Sequence, residues 1–454
     1  MMGFRADQTR RTVHFGTFNA EAYLNDGEGL VQLPAIVDRD SEKLIHAMDE
    51  LLFPLCTPEN FLLTRYALQP MQKKYLESIG IRFQSNAESI DSSYSTGATL
   101  IALLTEQARR EKYQPIFTKS VRLSPYAHIP EIVHLCSCFD FPDYNPAAAV
   151  VKKVNSKMYS HSMHEDMGIP QYGEQVTTLD ELLTSVAKLS GRKFLLKHPL
   201  GVSGKGNLLI ESKRMLERIM KYFQTQINEG KRLEILVEPF LDKMIDFSCQ
   251  MKIGRDGRCE LLSVQKMDNN SNFAYCGSSC ADSGLNDLLE KKGYFSLMER
   301  VGAKLFADGY FGYACVDSML LRDQTLVPIV EINARESMGL INYSLNEYLK
   351  KDSLKSHLRF FSVGIPATFS YEAMLSNLHK AELLYQAQGK PGVLPLASNA
   401  VSINRDADVN SSVKAKSYKG RVYFSAAAPD SETADGLSQR FRAFLGEMNL
   451  STYN

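Results

Sequence analysis

Residues 326–335 read LVPIVEINAR, an apolar run that ends with Glu331, Asn333 and Arg335 at alternate positions. In an extended strand, residues i, i+2 and i+4 project from one face. One carboxylate, one amide oxygen and one guanidinium would therefore point into a single site. Carboxylate and amide oxygens are hard ligands suited to Mg²⁺, which also takes phosphate oxygens and keeps several waters. An arginine beside them supplies fixed charge for a phosphoryl or carboxylate group. Upstream, GYFGYACVDSMLL (309–321) sets Asp317 in a second strand-like run. Two acidic residues on neighbouring strands could share one or two Mg²⁺ ions and grip a nucleotide triphosphate. Taken alone, EINAR reads equally well as a solvated strand end.

The middle of the chain adds to this. GRKFLLKHPLGVSGKGNLLI (191–210) is two strand-like runs around a glycine-rich loop. Lys197 ends the first run, and Gly201, Gly204 and Gly206 let the loop approach a ligand through backbone amides. It is not a Walker A loop, because Gly206 stands where Ser or Thr should follow Lys205. No helix clearly begins inside it, so the dinucleotide fingerprint is absent too. In isolation such a hairpin is more often a turn than a phosphate site. Next comes LEILVEPFLDKMIDFSCQMKI (233–253): a strand, a polar interruption holding Glu238 and Asp246, and another strand.

This order resembles the ATP-grasp ligases. The match opens at NSKMYSHSMHEDMGIPQY (155–172), similar to that family's entry segment of a lysine, a helix and Gly-Ile-Pro before a strand. It continues through the lysine-plus-glycine loop, the VEPFL hinge, and the pair VDSML and EINAR, covering about residues 150–345. The resemblance implies ATP and Mg²⁺ (or Mn²⁺) as cofactors. Lys157 and Lys197 would bind ATP phosphates, with Gly201–Gly206 as a lid and Lys205 at its tip. Glu238 and the backbone as far as Leu241 would bind the adenine and ribose region, with Asp246 a further cofactor-binding residue. Asp317, Glu331 and Asn333 would hold the metal, and Arg335 would face the phosphoryl group in transfer. Lys266, in SVQKMDNN, lies where some relatives place a phosphate-contacting basic residue; the bland reading is a solvated loop lysine. Two departures stand out. Asp317 replaces the Glu of many relatives, which shortens its reach, and Pro239 removes one backbone donor near the adenine.

Composition agrees without discriminating. At 454 residues the chain is long for a single core. With 52 basic and 52 acidic residues there is no field for general polyanion or nucleic-acid binding. No apolar stretch approaches the roughly 20 residues needed to span a bilayer, and MMGFRADQTRRTVHFG lacks the apolar core of a signal peptide. The eight cysteines do not form a disulfide framework by placement. The simplest expectation is a reduced, cytoplasmic protein.

The fold class expected is α/β (α+β): an ATP-grasp fold with an N-terminal α/β pre-ATP-grasp domain and a small C-terminal α/β domain. Residues 1–150 mix strand-like runs (TVHFGTF, LLFPL, IRFQS) with helical ones such as ATLIALLTEQARREKYQ, arguing for an open sheet. Residues 151–362 form the nucleotide-binding region, closing with a helical reading of INYSLNEYLKKDSLKSHLRFF. Residues 363–454 hold a helix, two strands (VLPLA, GRVYFSAAA) and a last helix. This domain order resembles the peptide ligases of antibiotic biosynthesis, of the pheganomycin and butirosin types.

The resemblance implies activation of a carboxylate as an acyl phosphate, followed by attack of an amine. The second reading keeps the activation but gives the acyl group to the thiol of an acyl carrier protein. The third, from another class, is a nucleotide-binding regulatory protein without turnover. Small-molecule carboxylate and amine substrates are the partners expected, with a homodimer left open. FAYCGSSC (273–280) and ESMGL (336–340) are the expected lining of the acceptor pocket, Ser337 and Gly339 leaving room for a carboxylate. His161 and His164 share a helix face and read as a surface pair.

Overall fold

The computed structural model describes residues 11–24, 29–34, 38–94, 97–118, 120–140, 142–189, 191–201, 206–269, 275–408 and 417–453. Gly204 and Lys205 lie outside them, as does the start of the FAYCGSSC segment.

Three sheets organise the chain. The first is parallel, with strands in the order Gln84–Ser85, Phe61–Leu62, Thr12–Phe15 and Arg122–Pro125. Short helices such as Pro70–Ser78 and Leu100–Thr105 connect them, which is the alternation expected of an open α/β layer. LLFPL is not a strand; it closes a 3-10 helix, Ala47–Leu55, whose residues from Ala47 to Phe53 are all buried. A continuous apolar run carries no period, so burial alone cannot separate strand from helix there.

The second sheet is small and antiparallel, in the order Glu174–Val176, Ile235–Pro239, Phe194–Lys197 and Asn207–Ile210. Helices Leu179–Lys188 and Lys213–Asn228 cover it through Leu182, Leu216, Ile219 and Phe223. Residues 29–34, from the N-terminal part of the chain, also join this layer. Val31 and Leu33 enter its core. Val31 N–H donates to Arg232 O at 2.9 Å, and Arg232 N–H donates to Gly29 O at 2.8 Å. Gln32 and Gln226 exchange two hydrogen bonds of 3.0 Å.

The third sheet has nine strands and runs from the EINAR strand to the C-terminal strands. Its order begins Leu326–Asn333, Gly312–Leu321, Lys243–Ile253, Cys259–Asn269 and Tyr275–Cys280. It continues with Lys355–Ile365, Tyr418–Ala428 and Gly392–Pro395. Helix Tyr294–Ala307 packs on one face, with Tyr294 against Phe247 (ring centroids 5.5 Å apart) and its hydroxyl 2.7 Å from Ser318 Oγ. Helix Met338–Leu349 covers the other, donating from Asn342 to Gln265 Oε1 at 2.7 Å.

The stretch INYSLNEYLKKDSLKSHLRFF is helical only as far as Leu349; its second half is strand Lys355–Ile365, which runs through position 362. The β-rich sequence SHLRFFSVGI pairs with Tyr418–Ala428 along its whole length, and that ladder overrides the helical reading. Among the described residues no helix is long and apolar enough to cross a membrane.

Candidate functional site

The site grows from one antiparallel ladder. Asp317 lies directly opposite Glu331, and Cys315 opposite Asn333. On the other side, Asp317 faces Ser248, and Met319 faces Asp246. Side chains alternate along strands, so Glu331, Asn333, Asp317 and Asp246 share one face. Asn333 Nδ2 donates to Asp317 Oδ2 at 3.1 Å, and Asn333 Oδ1 accepts from Arg335 at 3.0 Å. The Arg335 guanidinium also donates to Tyr126 Oη at 3.0 Å and stacks 5.3 Å from that ring's centroid. Asp246 accepts from Lys243 and from Asn269 Nδ2. Burial first, and the facing Glu331 charge second, push the Asp317 carboxyl up to about 7.

The EINAR strand is the edge of its sheet, and helix Lys157–Met167 covers that edge. Ile332 N–H donates to Ser160 Oγ and Ala334 N–H to Asn155 Oδ1, both at 2.9 Å. His164 Nε2 donates to Ile329 O at 2.8 Å. His164 is thus buried against the strand, not one of a surface pair, although its ring does lie 6.0 Å from that of His161. Three side chains satisfy backbone groups that an edge strand would otherwise leave open. The same helix begins at Lys157, whose Nζ donates to Glu331 Oε1 at 2.7 Å and to Gly201 O at 3.2 Å.

Lys157 also donates its backbone N–H to Pro199 O at 2.9 Å, so it holds the start of the glycine loop. The loop's base is closed by His198 N–H donating to Gly206 O at 2.7 Å. Gly206 has φ +105°, and a Cβ there would sit 3.0 Å from Gly201 Cα, so only glycine allows this approach without strain. Lys197, buried, makes an ion pair with Glu238 across the small sheet. Leu241 follows at the hinge, accepting from Lys243 N–H at 3.0 Å.

Lys266 is a correction. Its register partner is Phe247, on the face that packs against Tyr294, whereas Gln265 is the residue aligned with Ser248 and Asp317. Lys266 Nζ instead lies 3.2 Å from Asp282 Oδ2. Ser337 and Gly339 also differ from expectation. Ser337 caps its helix and donates to Gln250 Oε1 at 2.5 Å. A Cβ at Gly339 would come within 2.5 Å of Gln250 Nε2. Their small size serves helix-to-sheet contact, not substrate room.

One residue that sequence reasoning missed belongs beside Arg335. Tyr126 carries its guanidinium, and no local pattern marked it. Glu336, the next residue in the chain, is buried, with Oε1 accepting from Ser124 Oγ at 2.9 Å, and burial pushes its carboxyl up to about 8. Both line a cavity of about 650 Å³ that opens from Arg335 toward the turn at 253–256. Tyr275–Cys280 do not line it.

The donor set suits a divalent cation. Two facing carboxylates, one pushed toward neutrality and the other holding the Lys157 ammonium, have negative charge that a metal would offset. Among the described residues no group of three or more His, Cys, Asp and Glu is assembled for a metal. Two carboxylates and an amide oxygen fit an ion that completes its shell with water and phosphate.

The fold has counterparts among solved structures. An L-amino acid ligase from Bacillus licheniformis superposes with a TM-score of 0.51 at 12% identity, over 98% of this chain and 99% of that one. The biotin carboxylase domain of Hydrogenobacter thermophilus 2-oxoglutarate carboxylase, solved with MgADP and bicarbonate, gives 0.53 at 12% identity, over 98% and 91%. The fold is that of the ATP-grasp ligases. In sequence, the chain is 25% identical over 194 residues to the butirosin acyl-carrier protein–L-glutamate ligase of Niallia circulans. That match spans 42% of this chain and 45% of the relative, so less than half of the curated protein is matched. No protein-family profile matches the chain.

Proposed function

We propose that this chain is an ATP- and Mg²⁺-dependent ligase that activates a carboxylate as an acyl phosphate and joins it to an amine, releasing ADP and phosphate. The observation that carries the reading is the ladder itself: Asp317 against Glu331, flanked by Asn333 and Arg335, with Lys157 reaching the same carboxylate. In this reading residues 1–150, 151–362 and 363–454 are the pre-ATP-grasp, nucleotide-binding and C-terminal units of a cytoplasmic protein.

A carboxylate is a poor electrophile because oxide is a poor leaving group, and phosphoryl transfer from ATP supplies a better one. Lys157 and Lys197 would exchange their carboxylate partners for ATP phosphates. Asp317, Glu331 and Asn333 would hold Mg²⁺, which when bound would offset phosphate charge. Arg335, fixed by Tyr126, would steady the transferring group. The Gly201–Gly206 loop, pinned at both ends, would exclude water from the acyl phosphate. Glu238 and Leu241 mark the nucleotide's base and ribose end.

The test is isotopic. With ¹⁸O in the substrate carboxylate, label should appear in inorganic phosphate alongside ADP. Label in AMP with release of pyrophosphate would overturn the mechanism. A second reading, transfer of an amino acid to the thiol of an acyl carrier protein, is supported by the 194-residue similarity to the butirosin ligase. Either acceptor attacks the same intermediate.

A further inference from the structure

The cavity beside Arg335 has a second end. Part of its wall is the end of the large sheet beyond the Asp317–Glu331 pair, at Lys252 and Tyr313. Asp317 pairs with Ser248, Cys315 with Gln250, and Tyr313 with Lys252. At about 3.3 Å per residue, Lys252 and Tyr313 stand about 13 Å from Asp317. Cys315 pairs with Asn333, the last residue of its strand, so Arg335, two residues on, stands level with Tyr313 and about two strand spacings, on the order of 10 Å, from Lys252. The cavity therefore runs from Arg335 at one end to the 252–256 turn at the other.

That far end is basic. Lys252 Nζ sits 5.5 Å from the Tyr313 ring centroid. The Arg255 guanidinium lies 4.9 Å from the Phe311 centroid and 5.4 Å from that of Tyr144, whose carbonyl accepts from it at 2.9 Å. Among the described residues neither cation has an ion-pair partner within 4.0 Å. Arg122 adds a third cation to the wall. The acidic wall residues are Asp256 and Glu336, and burial raises the latter's pKa to about 8, leaving it mostly protonated at neutral pH. Aromatic faces between the two ends suit an uncharged stem.

Resting on the ligase reading, we propose that this cavity binds the acceptor, and that the acceptor is a short peptide whose amine lies at Arg335 and whose terminal carboxylate is held by Lys252 and Arg255. The separation fixes the size. Between the reacting amine near Arg335 and the far cations the span is on the order of 10 Å, the reach of about three extended residues. A single amino acid is too short to bridge both ends, and an extended phosphopantetheine arm is considerably longer.

Affinity selection of the full chain from a randomised tripeptide library reads this directly. The library is prepared once with free C-terminal carboxylates and once as C-terminal amides, and 4′-phosphopantetheine with pantetheine forms a second charged and neutral pair. The acid library should be retained about tenfold or more over the amide library, the ratio one charge-assisted contact supplies. Lys252→Glu/Arg255→Glu should abolish that preference, and the milder Lys252→Gln/Arg255→Gln should reduce it. Equal retention of acids and amides overturns the proposal, as does a preference that survives both variants. A preference confined to phosphopantetheine also overturns it and identifies a carrier arm instead. ADP release from MgATP is followed separately. Acid-selective binding without any ADP formation keeps the cavity assignment and removes the ligase reading; ADP formation without acid selectivity does the reverse.

Discussion

Lys157 Nζ lies 2.7 Å from Glu331 Oε1, so the first residue of one helix is tied to the carboxylate that faces Asp317. Because the same ammonium also holds Gly201 O, the loop and the ladder share one cation. Replacing Glu331 by Gln keeps the shape but removes the charge that holds Lys157 and that the proposed Mg²⁺ site requires. ADP formation should fall by on the order of a hundredfold or more, about 3 kcal/mol of transition-state stabilisation. Steady-state ADP release with circular dichroism as the fold control measures this. Wild-type turnover with unchanged Mg²⁺ dependence would sink the assignment.

Gly206→Val adds a side chain at φ +105° where even a Cβ meets Gly201 Cα at 3.0 Å. Strain of about 1–3 kcal/mol is expected locally. It should appear as faster hydrogen exchange of the His198 amide, which donates to Gly206 O, together with slower turnover. Unchanged exchange at that amide would mean the loop base tolerates the side chain.

Ser160→Ala leaves the Ile332 N–H without its 2.9 Å partner, midway between Glu331 and Asn333. A buried donor left open costs about 1–3 kcal/mol. Thermal unfolding should register that loss, and the Mg²⁺ concentration for half-maximal ADP formation should rise as the strand loosens. Ser160→Thr, which keeps the hydroxyl, should restore much of it.

Glu336 supplies a pH prediction. Burial raises its pKa from 4.5 to about 8, so the native state binds a proton that the unfolded chain releases above pH 4.5. Stability from this group is therefore full at low pH and declines as pH rises toward 8. Glu336→Gln stays neutral throughout. The variant's melting temperature should fall less than the wild type's between pH 6 and pH 9. Parallel curves for the two proteins would show that Glu336 does not titrate in this range.

The ladder was legible because period-two alternation of Glu331, Asn333 and Arg335 needs only a strand to converge. The glycine hairpin and the hinge were legible from turn residues between apolar runs. Lys266 misled because a lysine near a phosphate site looks the same in sequence on either face, and one residue of register separates the faces. Tyr126, Lys252 and Arg255 reach Arg335's cavity from distant segments, and nothing local marks such convergence. The strand at Lys355–Ile365 was hidden because its stabilising partner, Tyr418–Ala428, lies more than fifty positions away in the chain.

The contribution of residues 29–34 to the small antiparallel sheet bears on modularity. A fragment cut to the contiguous stretch 170–240 would contain every strand of that sheet yet lack Val31 and Leu33 from its core. Gln226 would lose both of its bonds to Gln32, and the Arg232 N–H its bond to Gly29 O. The small sheet is therefore not a portable cassette. Grafting it onto another scaffold requires carrying a piece of the N-terminal region with it, and circular permutation must spare that crossing.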